Sequence, residues 1–328
     1  MTEGHDPSVE ILRKSKVLVT GGTGSFGSQI TSELLKLPVN EVRIFSRGED
    51  LQHQMALKFT DKRLRFVLGD VRDYQRVSEA MTGIDYVFHA AALKQVPDCE
   101  FHPLEAVKTN VIGAHNVKIA AIQNRVKKVV AISTDKAVKP VNAMGMTKAL
   151  QEKILLSSEL NEADKTIFCV VRYGNVIGSR GSVVRVFRER LEKGQDLEVT
   201  DTRMTRFWLT LQDAVRLVFK ALQDSRGGEI YIMKRPSCLV IDLAKTMAGT
   251  KVGVIETKVR PGEKIHETLV QEDEMRRAEE SDEYYVIHPV GSTDIPHRRA
   301  GLTEYTSENT RRLTKVEIAE MLKSAGFL

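Results

Sequence analysis

The feature that most constrains this chain is a junction near its start. Residues 16–20 (KVLVT) form an apolar, β-branched run suited to a buried strand, and they lead at once into GGTGSFG. A helical pattern follows, with Phe26, Ile30 and Leu34 at i, i+4 and i+8 and Pro38 as its stop. Gly21, Gly24 and Gly27 therefore stand as G-x-x-G-x-x-G between a strand and a helix. A tight turn needs a residue without Cβ, and a pyrophosphate approaches backbone only where side chains are absent. The helix N-terminus then offers N–H donors and the positive end of its dipole. Glycines alone would be turn chemistry. In this setting they predict a dinucleotide site, with Thr23, Ser25 and Phe26 in its wall.

The next stretches continue the alternation. Strands are expected at 41–46 (EVRIFS), 64–68 (LRFVL), 86–89, 129–133 and 167–171 (IFCVV), with helical patterns between most of them, notably 103–123 and 143–160. Such alternation implies right-handed crossovers and an α/β, Rossmann-type, doubly wound parallel sheet. After Tyr173 the pattern breaks. Residues 182–192 and 211–222 read as helices, and EIYIM (229–233) as a strand able to rejoin the sheet. We therefore expect a tail over 1–14, a nucleotide-binding domain over 15–175 with 207–233 returning to it, and a smaller, interleaved substrate-binding lobe from 176–206 and 234–328.

Composition narrows the function. The 328 residues are 41% apolar, ample for a core, yet hold no run near the roughly 18–20 apolar residues of a membrane span. MTEGHDPSVEILRKS has acids and no hydrophobic block, so we expect a frayed tail and a cytoplasmic protein with no membrane partner. Cys99, Cys169 and Cys238 fit neither a disulfide framework nor a metal site, and the histidines show no ligand spacing. The net charge of +5 is spread over scattered Lys and Arg doublets, which argues against nucleic acid. An anionic small substrate explains that balance as well, as does chance.

Details of the cofactor follow from strand ends. The second strand ends Ser46-Arg47, where an NAD site typically has an acid for the ribose hydroxyls. A hydroxyl and a guanidinium fit a 2′-phosphate, which favours NADP. The alternative is an Arg merely exposed on a loop, with Glu49 serving NAD. Asp70-Val71 is placed to meet the adenine, and Ala90-Ala91-Ala92 supplies small side chains for close packing of a dinucleotide.

The chemistry concentrates in 133–153, STDKAVKPVNAMGMTKALQEK. Asp135 and Lys136 sit where a parallel strand ends, the edge along which open α/β sheets bind ligands. Met144 and Lys148, at i and i+4, share a helix face. Neighbouring residues of a strand point to opposite sides, so Asp135 and Lys136 reach one ligand only if the backbone leaves strand geometry there. The bland alternative has Asp135 capping a helix and Lys136 in solvent.

TGGTGSFG, HAAALKQVP, TNVIGAHNV, STDKAVKPVNAMGMTKA, RYGNVIGSRGSV, TDTRMTRFW and RPGEKIHETLV together resemble the extended short-chain dehydrogenase/reductases over nearly the whole chain. Within them the chain looks most like the bacterial UDP-N-acetylglucosamine 4,6-dehydratases. Ordinary short-chain dehydrogenases carry a tyrosine four residues before the lysine, and here that position is Met144, whose thioether has no exchangeable proton. Some dehydratases of this family also carry Met in the same NAMGM context.

The resemblance implies a dehydration without net oxidation. Hydride leaves sugar carbon 4 for NADP+, the carbon-5 proton and the 6-hydroxyl are lost, and hydride returns to carbon 6. In that scheme Asp135 carries the proton from the 4-hydroxyl to the departing 6-hydroxyl, and Lys136 takes the carbon-5 proton. A lysine base requires its pKa to be depressed. Lys148 holds the nicotinamide ribose, Thr134 meets the 4-oxygen, and Lys94 contacts substrate. Asn110 supports the site. Arg206 and Arg260 clamp the pyrophosphate, while Asn175 and Glu263 reach phosphate or ribose.

The expected activity is thus an NADP-dependent lyase forming a 4-keto-6-deoxy sugar from a UDP-sugar, with inversion at carbon 5 favoured, in a homo-oligomer. A 4-epimerase or reductase on the same scaffold competes, as does a catalytically silent NADP(H)-binding sensor, for which Met144 speaks.

Overall fold

The computed structural model describes residues 7–157, 166–292 and 303–328. Its first half is built from β1 (Lys16–Thr20), β2 (Glu41–Ser46), β3 (Leu64–Leu68), β4 (Tyr86–His89), β5 (Lys128–Thr134) and β6 (Ile167–Tyr173). Then come β7 (Asn175–Val176), β8 (Leu197–Val199), β9 (Thr205–Leu209), β10 (Ile230–Met233), β11 (Ser237–Leu239), β12 (Val254–Glu256), β13 (Thr268–Val270), β14 (Ala278–Glu280), β15 (Tyr284–Ile287) and β16 (Tyr305–Thr306). The main sheet runs β14-β15-β10-β6-β5-β4-β1-β2-β3. From β3 to β10 every pair is parallel; β15 and β14 are antiparallel additions at the far edge. Strand order reverses between β1 and β4, the switch point at which doubly wound sheets open a crevice.

Both faces are covered, as the unbroken apolar strands require. Helices Ser25–Leu34 and Leu211–Asp224 pack one face through Ile30, Leu34, Leu217 and Leu222. Tyr74–Met81 and Gly113–Gln123 pack the other through Val77, Met81, Val117 and Ala121. A second, smaller core gathers Phe187, Leu197, Trp208, Leu243, Met247, Ile318 and Leu322. β9 lies in a separate sheet between β11 and β7, whereas β10 pairs with β6 in the main one.

Local differences from the sequence reading have simple causes. Where a frayed tail was expected over 1–14, Pro7–Leu12 is helical and Leu12 is fully buried, since docking on the core outweighs its short length. The helix expected over 143–160 spans Ala143–Leu156; residues 158–160 lie outside the described part. Val107–Ile112 makes a π-helical turn within the helical stretch 103–123, and it turns Asn110 wholly inward. Among the described residues, no helix is long and apolar enough to cross a membrane, and no cluster of His, Cys, Asp and Glu could hold a metal ion.

Candidate active site

A cleft of about 800 Å³ opens at the C-terminal ends of β1, β2, β4, β5 and β6. Gly21, Thr23, Gly24, Ser25, Phe26 and Gly27 line one wall, with Ser46, Arg47, Asp70, Val71, Ala90, Ala91 and Ala92. Gly21 has φ +64°, and a Cβ there would stand 2.7 Å from the Ala91 nitrogen. Only glycine lets β1 and the alanine run approach so closely. Gly24 is the N-cap of Ser25–Leu34 and brings no side chain to the first-turn N–H groups. This cradle fits a pyrophosphate: uncovered donors, a dipole end and no bulk.

Beneath it, Thr20 Oγ1 and His89 Nδ1 are 2.8 Å apart, and the Ala91 N–H donates to the same hydroxyl at 3.3 Å. Burial, reinforced by the Lys148 charge, pushes the His89 pKa down to about 3, so this ring is a neutral brace. At the adenosine end, the Ser46 carbonyl and hydroxyl both accept from Gln52 Nε2, at 3.0 and 3.1 Å. Arg47 is half-exposed at the mouth, 3.7 Å from Asp70 Oδ2. Glu49 opens the next helix and does not line the cleft.

At the other end, β5 finishes at Thr134 and the chain turns through one 3-10 turn, Asp135–Ala137. The turn lets adjacent side chains converge. Thr134 Oγ1 accepts the Lys136 N–H at 3.3 Å and donates to Asp135 Oδ1 at 2.9 Å. Lys136 Nζ lies 3.0 Å from that same Oδ1 and 3.0 Å from Glu267 Oε1. Lys264 Nζ is 3.7 Å from Glu267 and donates to the Val138 carbonyl at 2.6 Å, while Arg206 Nε stands 3.8 Å away. Two carboxylates and three cations thus share one corner.

Thr134 and Lys136 line the cleft, whereas Asp135 is fully buried behind them. Its Oδ2 has no hydrogen-bond partner and lies against Gly174. Burial raises the Asp135 pKa, with Lys136 pulling against it. Burial opposes the Lys136 charge, but Asp135 and Glu267 outweigh it and hold that pKa above the ordinary lysine value. The sequence reading required a depressed lysine, and the fold supplies the opposite: a second carboxylate from a distant segment reaches the ammonium.

Met144 and Lys148 lie on helix Ala143–Leu156 and both line the cleft. Asn142 caps that helix, accepting the Gly145 N–H at 2.7 Å and donating to the Gly262 carbonyl at 2.8 Å. A Cβ at Gly145 would collide with the Lys136 carbonyl, so glycine there lets the helix seat against the Asp135–Ala137 turn. Met144 is buried beside Cys99 and Ala106. Lys148 Nζ donates to the Ile132 carbonyl and to Gln151 Oε1, both at 2.6 Å, and burial lowers its pKa to about 7 despite Glu152. Below, Arg172 forms buried ion pairs with Glu152 at 2.6 Å and Glu274 at 2.8 Å.

Not every expected residue reaches the cleft. Lys94 and Asn175 line it. Arg206 does not: its guanidinium donates to the carbonyls of Thr205, Ile265 and Lys264, at 2.8, 3.0 and 2.8 Å. Arg260 is exposed on a turn whose N–H donates to Glu263 at 3.1 Å, and neither lines the cleft. Glu267, Lys264, Tyr173, Gln95, Arg180 and Ser182 were missed by sequence reasoning. Glu267 and Lys264 fall within RPGEKIHETLV, so the signal was present, but nothing local pointed them at Lys136.

A model of a family described as polysaccharide biosynthesis protein matches residues 17–289. A curated relative named UDP-glucose 4-epimerase, from Rickettsia canadensis (strain McKiel), is 44% identical over 329 residues, covering 95% of this chain and 96% of its own. Among solved structures, Pen from Bacillus thuringiensis superposes with a TM-score of 0.91 at 38% identity, over 97% of this chain and 99% of that one. A dTDP-glucose 4,6-dehydratase from Streptomyces venezuelae, solved with NAD bound, gives 0.70 at 21% identity, over 94% and 96%. The last of these speaks to fold alone.

Proposed function

We propose, from the premise that this chain belongs to the polysaccharide biosynthesis protein family and has the fold of the extended short-chain dehydrogenase/reductases, that it is an NADP-dependent UDP-N-acetylglucosamine 4,6-dehydratase. The observation that carries this reading is the pairing around Lys148. Its helix neighbour on the cleft wall is Met144, which cannot move a proton, while at the adjoining strand end Lys136 lines the cleft with Asp135 buried behind it, 3.0 Å from its ammonium. An epimerase or reductase of the tyrosine type lacks a proton carrier here. A 4,6-dehydratase needs an acid/base group for two oxygens and another for carbon 5, and the pair provides both.

A nicotinamide dinucleotide held in this cradle would supply the hydride chemistry, acceptance at sugar carbon 4 and return at carbon 6. Asp135 lies behind Thr134, so the 4-hydroxyl proton passes to it through the Thr134 hydroxyl that bonds its Oδ1 at 2.9 Å and returns the same way to the leaving 6-hydroxyl; its raised pKa suits a group that must hold and release that proton. Lys136 removes the carbon-5 proton once its own proton has gone, and inversion at carbon 5 follows when the new proton is delivered from solvent to the opposite face of the ring. Thr134 orients the 4-oxygen. Lys148, near neutrality in pKa, binds the ribose hydroxyls and sets the field around them. Gly21, Thr23, Gly24, Ser25, Phe26, Gly27, Asp70, Val71 and Ala90–Ala92 hold the dinucleotide, and Arg47 meets the 2′-phosphate, with NAD as the weaker ligand. Residues 15–175, with 207–233 returning to them, form the cofactor domain, and 176–206 with 234–328 the substrate lobe. The enzyme works as a cytoplasmic homo-oligomer.

A UDP-glucose 4-epimerase is the second reading, favoured by the names of the Rickettsia relatives. Incubation with UDP-N-acetylglucosamine in heavy water, followed by NMR, tests both. A 4-keto-6-deoxy product labelled at carbon 5 without net cofactor consumption supports the dehydratase. A carbon-4 epimer supports the second reading. An unchanged sugar nucleotide indicates a silent NADP(H) sensor.

A further inference from the structure

The turn that carries Asp135 and Lys136 has little support of its own. It is closed by the Val138 N–H, which donates to the Asp135 carbonyl at 3.2 Å, a long bond in a helix type whose geometry is already poor. Directly after it Lys139 stands at φ +45°, a left-handed conformation that a residue with a Cβ seldom adopts, and Pro140 follows. A chain free to relax would leave both conformations and carry the Asp135 and Lys136 side chains with it.

Support comes from a distant segment, 262–267. Arg206 fixes its backbone by donating to the carbonyls of Lys264 and Ile265 at 2.8 and 3.0 Å, and the Thr205 N–H donates to the Ile265 carbonyl at 3.1 Å. Two residues on, the Glu267 N–H donates to Ser307 Oγ at 2.9 Å. Three groups of this segment reach the turn and its exit. Glu267 meets the Lys136 ammonium at 3.0 Å, and the Gly262 carbonyl accepts from Asn142 Nδ2 at 2.8 Å. The third is the Lys264 ammonium, which donates to the Val138 carbonyl at 2.6 Å and is farther from Glu267 Oε2, at 3.7 Å. The Lys264 side chain is 12% exposed and does not line the cleft. A charge-assisted bond withdrawn from water in this way is among the stronger ones a protein makes.

We propose that Lys264 is a positioning residue: by holding the Val138 carbonyl it keeps the turn, and with it the Asp135–Lys136 pair, in the geometry that the reaction requires. The inference rests on the reading above of that pair as the acid/base groups. It gives a task to a buried lysine that no step of the reaction uses. Arg206 then serves the site from beneath, by fixing the backbone that carries Lys264.

Peptide-resolved hydrogen exchange on the whole protein, with turnover of UDP-N-acetylglucosamine beside it, tests the role. Lys264→Met keeps the bulk of the stem and removes the donor, whereas Lys264→Arg keeps a charged donor. In Lys264→Met, exchange over 135–142 is expected to quicken about tenfold, while exchange over 21–27 stays and shows the remainder folded. Turnover, read as kcat, falls about 10- to 100-fold, the loss of one charge-assisted hydrogen bond, and KM and NADPH binding hold. Lys264→Arg recovers most of both losses; a role in packing alone would be served by methionine instead. Should Lys264→Met not fold, Lys264→Gln, polar but uncharged, is read for the same two changes. Wild-type exchange over 135–142 in these variants overturns the proposal, as does an unchanged kcat or a loss confined to KM. A wild type that forms no 4-keto product, with exchange quickened all the same in the variants, sinks the dehydratase reading and leaves the brace on the turn standing.

Discussion

Lys136 Nζ stands 3.0 Å from Glu267 Oε1, so the proposed carbon-5 base is paired with a carboxylate that lies almost wholly out of solvent. A base must first lose its proton, and Glu267 makes that loss harder. Activity should therefore rise with pH through the Lys136 pKa. Glu267→Gln removes one of two raising charges while leaving Asp135, Arg206 and Lys264 in place. The alkaline-going limb of kcat/KM against pH should move to lower pH by about one unit or more. A limb that stays put would show that Lys136 is not the titrating group.

Asp135→Asn is expected to abolish turnover while NADPH binding, read by fluorescence, persists. Met144 offers the contrast. It is 3% exposed, so Met144→Ala should cost about 2–5 kcal/mol in denaturant unfolding through the cavity it leaves. Met144→Leu conserves volume and should keep turnover within about threefold. Normal activity in Asp135→Asn, or inactivity in a well-folded Met144→Leu, would reverse the assignment.

Lys148 links folding to pH. Its folded pKa, about 7, lies below the unfolded value near 10.4, so between these limits the unfolded chain binds the extra proton. Stability must then increase as pH rises through that window, by up to about 1.4 kcal/mol per pH unit from this residue. Urea midpoints from pH 7 to 9.5 should climb in the wild type and climb less in Lys148→Met. Equal slopes would mean the amine is not desolvated.

Arg47 sits half-exposed at the mouth, held only loosely by Asp70 at 3.7 Å. Arg47→Asp should weaken NADPH by about tenfold or more and leave NADH unchanged or tighter, measured by competitive titration. An unaltered NADPH/NADH ratio would assign the 2′-position to other groups.

How much of this was legible depended on distance along the chain. Lys16–Thr20, Glu41–Ser46, Leu64–Leu68 and Tyr86–His89 match the strands read from their apolar runs, because each run is complete in itself. The glycine cradle and the end of β5 were readable for the same reason. Glu267 meeting Lys136, Arg206 turning to the carbonyls of 264 and 265, and Asn110 clamping Leu93 were not. These contacts join segments far apart, with no periodicity to announce them. The direction of the Lys136 pKa was misread although its larger raising neighbour, Asp135, adjoins it in sequence; the second, Glu267, is one of those distant contacts.

The buried bridge through Arg172 has one last consequence. Arg172 belongs to β6, and besides Glu152 it grips Glu274 and, at 3.3 Å, the Leu269 carbonyl, just beyond Glu267. The carboxylate that holds up the pKa of Lys136, the proposed base, is thereby anchored to the central sheet through a neighbouring residue, not to the loops around the cleft. Descendants of this chain could redesign those loops for a different hexose and leave the lysine's temperament untouched.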